Sequence, residues 1–199
     1  MKTAELVKAL LDVDEEVFLL HGEINPHPTV VIVGGAAFLL RDLTTRNVTH
    51  DIDVFVADSV VRQIMASYPN INGAVSSYAD QIPYNFEDRL VPINIPSRTI
   101  DYMTPCTEDL AVMKLYASRP NDIQDIDGAA QRGLIDWELL EKLVYDHNEA
   151  SASALSPNRY KKSWFISMSS SRESGGGNES YIQRFPPRIL SRIDWTANG

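Results

Sequence analysis

Val30-Val31-Ile32-Val33-Gly34-Gly35 and Asp51-Ile52-Asp53-Val54-Phe55-Val56 lie fifteen residues apart, and together they decide how the chain is read. The first belongs to a β-branched run, Thr29–Val33, of the kind that forms a short buried strand. Gly34-Gly35 then turns the chain into a short helix over Ala36–Arg41. The second, Asp51–Val56, alternates as a strand does. Residues two apart in a strand face the same way, so Asp51 and Asp53 present two carboxylates side by side while Ile52 and Val54 go to the buried face. Two like charges that close repel unless a cation sits between them. Their hard oxygens suit Mg²⁺ or Mn²⁺. Taken alone, the pair reads more readily as two solvated acids at a strand end, since Asp-x-Asp pairs occur often by chance.

The diglycine adds weight to the chemical reading. A strand that ends in Gly-Gly before a helix lets backbone approach a phosphate, and the helix start offers free N–H groups and a favourable dipole. A dinucleotide-binding fold fits less well. The chain has no G-x-G-x-x-G, its acid is doubled, and no βαβ alternation follows.

Outward from these motifs, Leu6, Val7, Leu10, Leu11, Val17 and Leu20 predict an amphipathic helix over Thr3–Leu20. His21–Pro28 reads as a loop. Ser59 is placed to cap a helix running through Ser67. Leu90–Ile95 and Arg98–Met103 read as two strands joined by Pro96-Ser97. The pattern then turns helical: Thr107 as the N-cap of Glu108–Ser118, an Asn121-x-x-Gln124 capping box opening a helix to about Arg132, and a third helix over Asp136–His147. Strands first and helices later mean an α+β fold with its sheet before residue 105. The expected organisation is a core over 1–105, a helical part over 106–168 that includes a helix at Asn158–Met168, and a loosely held Ser-, Gly- and Pro-rich tail over 169–199.

Composition agrees with a globular protein: 199 residues, 44% hydrophobic and 23% charged. One cysteine, Cys106, excludes an internal disulfide framework and a multi-cysteine zinc site, and a cytoplasmic compartment is the natural expectation. Asp12, Asp14, Glu15 and Glu16 break the first apolar stretch, which lacks the apolar core of a signal peptide. The central uncharged run, Val30–Leu40, is 11 residues long, against about 20 for a membrane span, so no membrane partner is expected. Residues 1–150 carry 11 Lys and Arg against 24 Asp and Glu, whereas 151–199 carry 7 against 3. The acidic body disfavours general coating of polyanions, while the basic end, with Arg159-Tyr160-Lys161-Lys162, Trp164 and Phe165, suits either RNA contact or docking onto the main domain.

A third carboxylate would complete a two-metal site for phosphoryl transfer. Asp101, in Thr99-Ile100-Asp101-Tyr102-Met103, is the candidate: an acid among apolar neighbours on a strand needs a reason. Two ions shared by Asp51 and Asp53, with Asp101 holding one, would also favour deprotonation of an attacking hydroxyl. An ion pair with Arg98 or Arg89 is the alternative. Other chemistries are weaker. His21, His27, His50 and His147 are scattered, no G-x-S-x-G or Walker A lysine motif occurs, and Cys106 has no partner base.

These residues resemble the nucleotidyltransferase superfamily typified by DNA polymerase β. The carriers are the strand with Gly-Gly, the run Arg46-Asn47-Val48-Thr49-His50-Asp51-Ile52-Asp53, and the later acid. Within it, the chain is most similar to small bacterial proteins of the AbiEii toxin type, which have an Arg and a Thr before Asp-Ile-Asp. Those proteins also carry a helix with Lys, then Arg-Pro and an Asp-x-x-Asp helix, here Lys114, Arg119-Pro120 and Asp122-Ile123-Gln124-Asp125. The resemblance covers about residues 28–130. It implies a small mixed sheet flanked by helices and two Mg²⁺ or Mn²⁺ ions on Asp51, Asp53 and Asp101. A nucleoside triphosphate would be held by Gly34, Gly35, Arg46, Thr49, Lys114 and Arg119, with Lys114 also catalytic. Asp122 is a supporting residue, and Asp125 would fix Lys114 or Arg119.

It also implies transfer of a nucleoside monophosphate to an RNA end, such as tRNA, or to a protein side chain, with an antitoxin as partner. Two rivals stand beside it. One is a non-catalytic nucleotide- or partner-binding module of the same fold, and Asp101 separates it from the enzyme: an Asp101 that faces away from the pair counts against catalysis. The other is an antibiotic-type enzyme acting on a cationic small molecule, which the acidic body would attract.

Overall fold

A computed structural model describes residues 1–73, 81–117 and 119–145, so the expected helix at Asn158–Met168 and the tail over 169–199 lie outside the described residues. Helix α1 (Thr3–His21) leads to strand β1 (Thr29–Val33), helix α2 (Gly34–Leu40), strand β2 (Ile52–Val56) and helix α3 (Ser59–Met65). Three short strands come next: β3 (Ile71–Asn72), β4 (Val91–Pro92) and β5 (Asp101–Thr104), with a 3₁₀ turn at Phe86–Arg89 before β4. Helices α4 (Thr107–Ala117), α5 (Pro120–Gln131) and α6 (Trp137–Tyr145) close the described chain. The fold is α+β, with a five-stranded mixed sheet in the order β3-β2-β1-β5-β4.

β1 occupies the centre because Val30, Val31, Ile32 and Val33 are apolar on both faces, and all four are buried. β2 runs antiparallel to β1, with Val33 opposite Asp53 and Val31 opposite Phe55. β5 runs parallel to β1, with Thr29 opposite Asp101. β3 is parallel to β2, and β4 antiparallel to β5. Ile52 and Val54 are fully buried on one face, while Asp53 and Phe55 share the other, where Phe86 of the 3₁₀ turn lies 6.0 Å from the Phe55 ring. α1 packs on α2 and α3, and α4 packs on α2, α5 and α6.

Several boundaries differ from the sequence expectation for local reasons. α2 begins at Gly34 itself, so both glycines lie in its first turn. Asp58, not Ser59, caps α3, its carboxylate accepting from the N–H groups of Val60 and Val61 at 2.9 and 3.0 Å. α5 starts at Pro120, a residue suited to a first turn because its missing N–H needs no partner, and Asp122 reaches back to the Arg119 N–H at 3.2 Å. The Asn121 capping box is therefore displaced by a stronger one two residues earlier. Asp136 caps α6 through the N–H groups of Glu138 and Leu139. The two strands expected at Leu90–Ile95 and Arg98–Met103 shrink to Val91–Pro92 and Asp101–Thr104.

The approach to β5 is held from α1. Asp14 is buried, and its carboxylate accepts from the N–H groups of Arg98, Thr99 and Ile100 at 2.7, 2.8 and 2.9 Å. Tyr102 adds a hydroxyl bond of 2.6 Å to the Leu10 carbonyl. Removing the acceptor strands buried N–H groups at about 1–3 kcal/mol each. Asp14→Ala is expected to cost about 3 kcal/mol, a fall in Tm of roughly 6–12 °C by calorimetry. Asp14→Asn, which keeps one acceptor oxygen, is expected to cost less.

Candidate active site

The end of β1 and the start of β2 meet because the two strands are antiparallel and adjacent. Gly34 (φ +65°) comes directly after Val33, and Val33 sits opposite Asp53. A methyl group on Gly34 would stand 2.7 Å from Asp53 Oδ2, and one on Gly35 would stand 2.7 Å from Thr49 Oγ1 and 3.5 Å from an Arg46 guanidinium nitrogen. Only glycine leaves room for those side chains, and the left-handed φ of Gly34 is one that glycine adopts without strain. The expected pairing of Gly34, Gly35, Arg46, Thr49 and Asp53 in one place is thus what the fold produces.

Asp51 is exposed and Asp53 half-buried. Burial, and then the charge of Asp51, push the Asp53 carboxyl above its ordinary range, against a hydrogen bond from Asn72 and the charges of Arg119 and Lys114. Asp53 thus sits high despite two cations within electrostatic reach.

Those cations come from the helical part. Lys114 on α4 is buried rather than snorkelling: its ammonium lies 2.9 Å from Asp122 Oδ1, 2.7 Å from Asp125 Oδ2 and 4.8 Å from the centre of the Phe38 ring. Asp125 is wholly buried and also accepts from Thr44 Oγ1 at 2.5 Å, from Arg46 Nε at 2.7 Å and from Arg46 Nη2. Asp122 accepts from Arg119 Nε at 2.7 Å, while the rest of the Arg119 side chain is largely exposed. Burial works to raise both acids, yet both sit below the ordinary carboxylate range. Arg119 and Lys114 lower Asp122; Arg46, Lys114 and Thr44 lower Asp125. The Asp122 hydrogen bond in turn raises Arg119.

Asp101 is not part of this arrangement. Its partner in β1 is Thr29, four residues from Val33, which puts it about 13 Å along the strand from the level of Asp53. It is exposed and lies 3.3 Å from His27 Nδ1. Neither arginine of the ion-pair alternative is its partner: Arg98 lies over the Phe18 ring and Arg89 pairs with Asp109. Among the described residues no three of His, Cys, Asp or Glu form a metal-binding group. Asp51 and Asp53 fit one hard divalent cation, because Mg²⁺ is commonly held by one or two carboxylates with water and substrate phosphates completing its shell. The two-ion arrangement loses the ligand assigned to Asp101.

Thr44, Phe38 and Asn72 were not legible as site residues. Thr44 lies two residues before Arg46, the one signal that could have drawn attention to it. His50 is exposed. Burial pushes the Cys106 thiol up to about 12, so it carries no thiolate near neutrality.

These charges have two measurable consequences. Asp122 and Asp125, lowered in the fold, stabilise it fully above the ordinary carboxylate value of 3.8 and lose that contribution as pH falls through their lowered values. Below about pH 4 the Tm of wild type should therefore fall more steeply than that of Asp125→Asn, although the variant starts from a lower Tm. Asp53 has the opposite sign: its ionised form costs stability above its raised folded value. Asp53→Asn is expected to raise the Tm of the metal-free protein at pH 7, measured by differential scanning fluorimetry in chelator.

No curated protein and no solved structure matches the chain. A family model does, over residues 8–172, and that span takes in the diglycine, the acid pair and the Lys114–Asp125 cluster. The chain belongs to the family described as nucleotidyltransferase of unknown function (DUF6036).

Proposed function

We propose that the protein is a divalent-metal-dependent nucleotidyltransferase that moves a nucleoside monophosphate from a nucleoside triphosphate to an acceptor. The observation that carries this is Asp53, paired with Asp51, set against Gly34, with Lys114 and Arg119 acting on it electrostatically. Asp51 and Asp53 would hold the cation, Mg²⁺ or Mn²⁺, which when bound supplies charge neutralisation at the phosphates. A second ion would rest on the same pair and the substrate. Gly34 and Gly35 let Asp53 and Thr49 close onto the turn that would meet the triphosphate. Arg119, exposed and anchored by Asp122 through Nε and, more weakly, Nη2, is the cation best placed to meet it. Lys114 and Arg46, locked by Asp122, Asp125 and Thr44, fix the field around the site.

The acceptor oxygen attacks the α-phosphorus, the bond to the bridging oxygen breaks, pyrophosphate leaves and the hydroxyl proton is lost to water. An RNA end such as tRNA, or a protein side chain, as acceptor and an antitoxin that silences the activity rest on the AbiEii resemblance alone. A cytoplasmic location rests on cysteine usage. None of the described helices is long and apolar enough to cross a membrane.

One observation favours the binding-module reading: Asp101 lies away from the pair. Transfer assays with α- and γ-labelled nucleoside triphosphates, in Mg²⁺ or Mn²⁺, separate the two. Acceptors would be tRNA, the protein itself and a cationic aminoglycoside. The expected result is transfer of the α-label only. Asp51→Ala/Asp53→Ala should lose it by at least about 100-fold, the scale of removing one electrostatic stabiliser of a transition state, and Asp101→Asn should retain it. Metal-dependent thermal stabilisation by a nucleotide, about 2.7 kcal/mol at 100 times its Kd, without transfer to any acceptor would favour the binding module.

A further inference from the structure

Asp53 has a hydrogen-bond donor on one oxygen and the Gly34 backbone beside the other. Oδ2 faces Gly34, where a methyl group would stand 2.7 Å away, and Oδ1 accepts a hydrogen bond of 2.9 Å from Asn72 Nδ2. An ionised carboxylate only accepts, so the amide nitrogen of Asn72 is the atom that turns toward it.

Asn72 is delivered there by a strand two residues long. In β3, Ile71 pairs with Ile52 and Asn72 with Asp53. Ile71 is 8% exposed and anchors the strand in the core, while bonds from Ile52 N–H to the Asn70 carbonyl (2.8 Å) and from Ile71 N–H to the Tyr68 carbonyl (3.0 Å) fix its height. The register puts Asn72 and Asp53 on one face of the sheet, where directly opposed side chains touch. So short an edge strand adds little pairing, and its chief product is one amide beside the more buried acid. An aliphatic residue at 72 would leave Oδ1 without its donor, and an acid there would add a third negative charge beside Asp51 and Asp53.

We propose that Asn72 is a positioning residue of the metal site. Its amide fixes the rotation of the Asp53 carboxylate, so that the remaining lone pairs point to the side shared with Asp51 and need not be ordered when a cation arrives. The inference rests on the metal-dependent reading of the site. Hydrogen bonds of this kind to a metal-ligating group are worth about 10–100-fold in metal affinity.

The test is Mn²⁺ binding to the full chain without nucleotide, monitored by electron paramagnetic resonance, with the Tm of each variant measured in chelator. Wild type is expected to bind Mn²⁺ and Asp53→Ala to lose it. Asn72→Ala should bind about 10–100 times more weakly, with an altered spectrum of the bound ion and a metal-free Tm that remains well above the assay temperature. Asn72→Leu, which matches the branched shape and removes the donor without adding charge, should also bind more weakly, and it serves if Asn72→Ala does not fold. Unchanged affinity in Asn72→Ala overturns the proposal. So does an affinity loss seen only in variants that are partly unfolded at the assay temperature. Mn²⁺ binding that is absent in wild type even when a nucleoside triphosphate is added, or that survives Asp53→Ala, removes the metal-dependent reading itself and this inference with it.

Discussion

A wholly buried carboxylate, Asp125, sets the condition that the rest of the site must meet. A charge out of water is tolerated only when it is paired and hydrogen-bonded. Asp125 meets this by drawing on two segments far apart in sequence: Thr44 and Arg46 from the α2–β2 loop, and Lys114 from α4. That loop also carries Thr49 and runs into Asp51, so it cannot shift against α5 without uncovering an unpaired charge. Losing one partner of such a buried pair costs about 3–5 kcal/mol, although a well-packed apolar replacement of the whole cluster can be as stable. What the cluster secures is therefore placement. It ties the helical part to the sheet at the end of the sheet where the acid pair stands.

The two groups of acids at this end are treated in opposite ways. Asp122 and Asp125 hold matched cations and sit low; Asp53 is half-buried beside Asp51 and sits high. The cations that would relieve Asp53 are already committed: Lys114 to two carboxylates, Arg46 to one, and Arg119 to Asp122. Functional sites commonly carry such uncompensated charge at the expense of stability. Here the unfavourable charge lies on Asp53, against Gly34 and beside Asp51, which is where a hard cation would relieve it.

Much of this was legible in the sequence because it is local. β-branched runs bounded by glycine and acid placed β1 to the residue and β2 to within one, since nothing else fits four buried apolar positions in a row. Lys114, Asp122 and Asp125 came together only through the family resemblance; their spacing alone left them as compatible with solvated acids and a surface lysine. Caps were less legible, because Asp58 and Ser59 compete for one role and only the backbone turn decides between them. β3 was invisible: two residues carry no periodicity. Asn72 was hidden with it, since its meaning comes from the strand alongside.

Asp101 shows the sharper limit. Alternation assigns a residue to a face of a sheet, yet says nothing about which end of the sheet it occupies. That depends on strand direction. β1 and β2 are antiparallel, so the turn leaving β1 necessarily meets the first residues of β2, and Gly34 meets Asp53. β5 is parallel to β1, so the two strands begin at the same end of the sheet, and Asp101 meets His27 instead. A third ligand beside the pair would have to come from the end of β5, at Thr104, or from β3, whose register places it against Asp53. β3 offers an amide. The site thus gathers two acids and one neutral donor, a set suited to a cation whose remaining ligands arrive with the substrate.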